Sequence, residues 1–174
     1  MIVQKVLNNS LVLSMDDDSR EVIVMGKGIG FNSRPGDEIA PEKIEKLFVT
    51  QALGARSGYL EALSAIPDEV IEMAAMIISR ANMQLASKVR EQIFFTLADH
   101  LTFAIERSRK GIAIQNRLLP EVRRFYPQQF RVASEAVTII RQQYGIELPE
   151  EEAGNIAFHL VNGQSEGDDV AQTM

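Results

Sequence analysis

Gly26-Lys27-Gly28-Ile29-Gly30-Phe31 is the stretch on which the fold turns. Three glycines at alternate positions suit a dinucleotide-binding loop, which would make the chain α/β. That loop needs a strand before it, a helix after it and a βαβ unit around it. A strand does precede it: Arg20–Met25 alternates, with Val22 and Val24 on one face and Ile23 and Met25 on the other. On its C-terminal side, however, stands a turn cluster, Asn32-Ser33-Arg34-Pro35-Gly36-Asp37, and then a short strand around Ile44–Thr50. No GK[ST] closes the glycines, so a Walker loop is excluded as well. Working back towards the N-terminus, Leu11–Met15 is a strand closed by the acidic tip Asp16-Asp17-Asp18-Ser19. Met1–Leu7 is another, ended by the turn Asn8-Asn9-Ser10. The first fifty residues therefore predict a four-stranded antiparallel sheet. So small a core is marginal alone, and dimerisation through one sheet face is expected to supply the missing burial.

Beyond Gln51–Ser57, a linker, the apolar period changes from two to 3.6. Pro67–Ser87 places Val70, Ile71, Met73, Ala74, Ile77, Ile78 and Ala81 on one face. Lys88–Arg109 carries the stripe Val89, Ile93, Leu97, Leu101, Ala104 and Ile105. Shorter and longer helices follow at Leu118–Phe125 and Phe130–Tyr144, the latter stopped by Gly145. The last helix starts at Pro149, has Glu150–Glu152 at the positive end of its dipole, and is expected to end near Asn162-Gly163. The expected organisation is thus 1–55 all-β, 56–66 a linker with a short leading helix, 67–163 an all-α bundle, and 164–174 a loose polar tail.

At 174 residues and 45% apolar, the chain can bury two small cores. It has no cysteine, which excludes disulfides and thiolate zinc sites. No apolar run is long enough to cross a membrane and no signal peptide is present, so a cytoplasmic protein without membrane insertion is expected. The net charge of −6 does not advertise a polyanion binder. Residues 1–55 hold six Lys/Arg against eight Asp/Glu, a net of −2, so any such binding must use a local basic face. The glycine strip admits two readings. Its glycines relieve sterics in a bulged, twisted strand. Alternatively, the missing Cβ atoms admit a polyanion or a base to the backbone, with Lys27 meeting phosphate and Phe31 stacking a base. A buried Phe31 would favour the first reading and an exposed one the second.

Lys5-Val6-Leu7-Asn8-Asn9-Ser10, Val24-Met25-Gly26-Lys27-Gly28-Ile29-Gly30-Phe31 and Pro35-Gly36-Asp37 resemble the co-antiterminator RNA-binding domain of the BglG/SacY/LicT family. The resemblance implies a symmetric dimer that grips an RNA hairpin with internal loops across its minor groove. Carried over by position, the contacts would be Lys5, Asn9, Ser10, Gly26, Lys27, Gly28 and Phe31. The family usually has a third asparagine where Ser10 stands, and often arginine where Lys27 stands. Serine reaches less far, and lysine keeps the charge without the planar fork.

The two histidines, His100 and His159, each lie three residues beyond a stripe residue, Leu97 and Ile156. Both should therefore sit at the edge of a buried face, half sheltered. Glu152, Asn155 and His159 align along one flank of the last helix. Asp99 diverges by about 100° from its neighbour His100, so it should reach another helix or subunit rather than orient that ring. A zinc site needs three or four ligands, and no HExxH is present. An acid/base enzyme would need a nucleophile or oxyanion donors, for which no motif appears. Reversible phosphorylation needs only an accessible imidazole and a fold that feels the charge.

Thr96-Leu97-Ala98-Asp99-His100-Leu101-x-Phe103-Ala104-Ile105 and Leu148-Pro149-x-Glu151-Glu152-Ala153-Gly154-x-Ile156-Ala157-x-His159-Leu160-Val161-Asn162 resemble the two histidine motifs of a phosphotransferase-system (PTS) regulation domain. Leu118–Phe130, with its Tyr126-Pro127-x-x-Phe130 end, is similar to the same family. The resemblance implies a non-catalytic transcriptional antiterminator without cofactor or metal. Phosphorylation of His100 and His159, with Asp99 regulatory, would be set by a PTS sugar permease (enzyme II) and the phosphocarrier HPr. It also implies a second regulation domain beyond the tail. The rival classes are a protein-interaction adaptor and a metal-dependent His/Asp enzyme.

Overall fold

The structure, a computed structural model, describes residues 1–50 and 58–172, with side chains as far as 164. The expected linker Gln51–Ser57 lies outside the described residues. Strands β1 (Lys5–Val6), β2 (Leu11–Met15), β3 (Glu21–Met25) and β4 (Lys46–Val49) form an antiparallel sheet in sequence order. The register sets Val12 against Val24 and Leu13 against Ile23, and Ile23 in turn against Phe48. Because side chains alternate across the pleat, Val12, Val22 and Val24 share one face, where they pack with Val3, Ile29 and Ile39. Ser14 points the same way, and its buried hydroxyl donates to the Ile2 carbonyl at 2.6 Å. Met1–Leu7 does not form the single strand expected of it. Ile2 bridges to Glu38 instead, and the Val3 N–H donates to the Asp37 carbonyl.

Leu11, Leu13, Ile23, Met25 and Phe48 occupy the opposite face, and they are buried too. The unit also extends further than expected. The first compact unit runs from Met1 to Ile71, well past residue 55. It takes in helix α1 (Tyr59–Ser64) and the start of helix α2 (Asp68–Gln84), with Leu63, Ile66, Val70 and Ile71 buried.

The second unit, Glu72–Met174, holds the rest of α2 with α3 (Ile93–Arg109), α4 (Leu119–Phe125), α5 (Pro127–Tyr144) and α6 (Glu150–Gln172). Its core joins Met73, Ile77, Phe94, Leu97, Leu101, Ile140, Ile156 and Leu160, all essentially inaccessible. Gly145 ends α5 as expected, in the left-handed conformation (φ 67°) that glycine adopts without a Cβ penalty. Helix α5 starts at Pro127, three residues before the expected Phe130, α2 ends at Gln84, three short of Ser87, and two further boundaries differ by more. Helix α3 starts at Ile93, not Lys88, because the preceding backbone gives its donors away. The Val89 N–H bonds the Asn82 side chain at 2.8 Å and the Arg90 N–H bonds the Gly163 carbonyl at 3.0 Å. Helix α6 does not stop at Gly163 but continues to Gln172, where a loose tail was expected. Gly163 serves close approach instead: a Cβ there would lie 2.7 Å from Val89 and 3.1 Å from Ile93.

Candidate functional site

In the first unit, two turns are stitched side by side. The Asn8 side-chain carbonyl accepts from the backbone N–H groups of Ser10 (2.9 Å) and Leu11 (2.8 Å), closing the Asn8–Ser10 turn. The glycine strip then bonds to it: the Gly26 N–H donates to the Ser10 carbonyl and the Gly30 N–H to the Asn9 carbonyl. Both contacts need bare Cα atoms. A Cβ on Gly26 would run into the Lys43 carbonyl oxygen, and one on Gly30 into that of Asn8. These two glycines are therefore demanded sterically by the domain's own backbone, but in consecutive turns after β3 and not in the bulged, twisted strand expected. Gly28 is different. It faces open space, and its left-handed φ of 69° is what favours glycine there.

This stitching brings Asn9, Ser10, Gly26, Lys27 and Gly28 into one patch, with Phe31 at its rim. The Phe31 N–H donates to the Gly28 carbonyl at 3.1 Å. Lys27 and Asn9 are exposed, Gly26 and Ser10 are buried, and Phe31 leaves 63% of its surface in solvent. Lys5 stands exposed on β1, next to Val6, whose side chain flanks Gly30. No described contact ties the Lys5 amine to the patch.

Sequence reasoning missed a neighbour of this patch. The Asp68 carboxylate accepts from the Ser10 hydroxyl at 2.9 Å and from the Asn9 amide at 3.3 Å. The Asn8 amide donates to the carbonyls of Leu63 and Ile66, each at 3.3 Å. The corner between α1 and α2 is thereby pinned to the Asn8–Ser10 turn. Two of the expected contact side chains are already engaged by an anion from within the chain.

In the second unit, α3 and α6 bring the two histidines together. Their ring centroids lie 5.0 Å apart, tilted by 52°. Beside His100 sits Glu152, a carboxylate only 2% exposed. It contacts His100 Nε2 at 2.8 Å and accepts from Arg107 at 2.9 Å and from the Asn155 amide at 3.4 Å. Burial alone would raise its pKa, but the His100 and Arg107 hydrogen bonds outweigh that effect and hold the carboxyl down at about 2. His159 has no ion partner among the described residues; burial, then the neighbouring His100, pushes its pKa down to about 4, so it is neutral at pH 7. Asn116 closes the set, donating to Asn155 at 3.0 Å across Gly154, where a Cβ would crowd it at 2.8 Å.

The alignment of Glu152 with His159 is visible in the sequence. The pairing of Glu152 with His100 and Arg107 is not, because those partners lie 52 and 45 residues away. Asp99 is exposed and bonds neither ring among the described residues.

Residues 1–54 match the family described as CAT RNA binding domain, and residues 75–163 match the PRD domain. A beta-glucoside operon antiterminator of Dickeya chrysanthemi is 42% identical, over 94% of this chain and 58% of its own length. The transcription antiterminator LicT of Bacillus subtilis (strain 168) is 37% identical, over 94% of this chain and 59% of its own. The chain thus spans somewhat more than half the length of these relatives. The crystal structure of GlcT CAT-PRDI superposes with a TM-score of 0.80 at 29% identity, covering 94% of this chain and 97% of that one. The order of the two matched domains, and the agreement of the fold across both, place the chain in the BglG/SacY/LicT family of transcriptional antiterminators, regulators rather than enzymes, in which a CAT RNA binding domain precedes a PRD domain.

Proposed function

We propose that this chain is the RNA-binding and first regulatory part of a cytoplasmic antiterminator for a sugar-utilisation operon. As a homodimer, it holds a hairpin in the leader transcript and prevents an overlapping terminator from folding. Lys5, Asn9, Ser10, Gly26, Lys27, Gly28 and Phe31 make the contacts. The observation that carries this reading is Phe31, a large aromatic 63% exposed beside a lysine and an open glycine backbone. Such an arrangement offers a stacking face next to a phosphate partner. RNA that accepts the hydrogens Asn9 and Ser10 now give to Asp68 competes with that carboxylate for them.

His100 and His159 are the phosphorylation sites, written by a PTS sugar permease or by HPr, with Asp99 exposed for contact with another chain. A phosphoryl group adds roughly two negative charges next to a buried carboxylate and a neutral imidazole. That is enough to bias a closely balanced packing. The test is a gel shift with the leader hairpin. The parent chain should retard it, and Phe31→Ala should need roughly 5- to 150-fold more protein to do so; equal retardation by both would remove Phe31 and this reading of the patch.

A further inference from the structure

Resting on the phosphorylation reading, we propose that Glu152 is a positioning residue that commits Nε2 of His100 to a hydrogen bond and thereby makes Nδ1 the atom that accepts the phosphoryl group. The geometry is specific. Nε2 lies 2.8 Å from Oε2 of Glu152. The carboxylate cannot swing away, because Arg107 holds its other oxygen at 2.9 Å and Asn155 bonds Oε2 itself. An ionised carboxylate only accepts hydrogen bonds, so Nε2 must carry the hydrogen whether the ring is neutral or protonated. Its depressed pKa keeps Glu152 ionised at any physiological pH. In the neutral ring, the lone pair available to a phosphorus atom is then on Nδ1, which has no hydrogen-bond partner among the described residues.

The charges favour the same atom. A phosphoryl group on Nε2 would have to expel a buried anion from its place against the ring, against the hold of Arg107. On Nδ1 it forms on the other side of the ring and leaves the Glu152 contact intact. The step balances without any further reagent. The Nδ1 lone pair forms the N–P bond, while the bond from phosphorus to an N-phosphorylated imidazole donor breaks and its electron pair leaves with the donor nitrogen. The Nε2 proton stays, and Glu152 stabilises the resulting imidazolium. Because the ring is charged, it is also a good leaving group when the phosphoryl group moves on. Glu152 thus plays for His100 the part that a buried carboxylate plays for the histidine of a catalytic triad.

The experiment uses the whole chain carrying His159→Ala, so that His100 is its single histidine, with ¹⁵N-labelled imidazole. Long-range ¹H–¹⁵N correlation reads the tautomer before treatment and the phosphohistidine isomer after potassium phosphoramidate. Free histidine in a parallel tube gives the intrinsic isomer ratio. The expected result is an Nε2–H tautomer and at least about a tenfold excess of the Nδ1 isomer over that intrinsic ratio, equivalent to roughly 1.4 kcal/mol of preference. Glu152→Gln should collapse the excess, because an amide can donate as well as accept. A predominant Nε2 isomer, an intrinsic ratio in the parent, or a His100 left unmodified while free histidine reacts each overturns the proposal. The parent measurement needs no folded Glu152 variant. Because it involves neither RNA nor the natural phosphoryl donor, its failure is distinct from a failure of phosphorylation to control antitermination in cells.

Discussion

Phe31 and Asp68 are the residues at which RNA binding by the patch is most exposed to test. Since most of the Phe31 ring is in solvent, Phe31→Ala should leave the melting temperature nearly unchanged. The same change should cost about 1–3 kcal/mol of RNA affinity, the worth of a stacked base. Paired melting and binding curves separate the two effects. Gly28→Val is a poorer probe, since any side chain at a φ of 69° carries backbone strain of about 1–2 kcal/mol. Lys27→Ala avoids that problem; it should weaken binding and reduce the slope of log K against log salt by about 1. Asp68→Ala should act in the opposite direction. It frees the Ser10 hydroxyl and the Asn9 amide, so RNA no longer competes with a carboxylate, and affinity should rise. Unchanged or weaker binding by Asp68→Ala would mean that RNA never meets those two donors.

At the scale of elements, α6 carries the sharpest tests. Gly163→Val drives a branched side chain into Val89 and Ile93 and should destabilise the helical unit by about 1–3 kcal/mol, read by denaturant melting. The titratable groups predict a pH profile. The Glu152 pKa is lowered, so its contribution is complete above the ordinary carboxylate value and is lost only as pH falls through about 2. His159 is a base with a lowered pKa. Unfolded chains take up its proton below 6.5, whereas the folded unit does so only near 4. Helical stability should therefore fall as pH drops from 6.5 to 4, and His159→Asn should flatten that segment of the curve.

Periodicity revealed every helix of this unit and the stop at Gly145, since both are local properties. Gly163 looked like a second stop because a sequence cannot distinguish a glycine that ends a helix from one that admits a neighbour. The same limit hid Glu152, which as a first-turn acid explained itself locally although its partners lie on another helix. Asp68 was hidden likewise, 59 residues from Asn9 and 58 from Ser10 in the turn it engages.

At the scale of the whole molecule, the proposed regulation would couple the patch on the β unit to the histidine pair in the helical unit. In cells carrying the natural gene, His100→Asp should reduce antitermination, since it places a permanent negative charge at the proposed phosphorylation position. His100→Ala should make antitermination independent of inducing sugar, because the phosphoryl signal can no longer be written there. A reporter behind the terminator reads both. Repression by the permease that survives both His100→Ala and His159→Ala would dissociate this pair from control. The central claim, that the chain recognises a structured leader RNA, is tested most directly by fluorescence anisotropy. The leader hairpin would be compared at fixed salt with a version whose internal loops are closed by full base pairing. Saturable binding to the looped hairpin and much weaker binding to the closed one are expected; equal affinity for the two would contradict the claim.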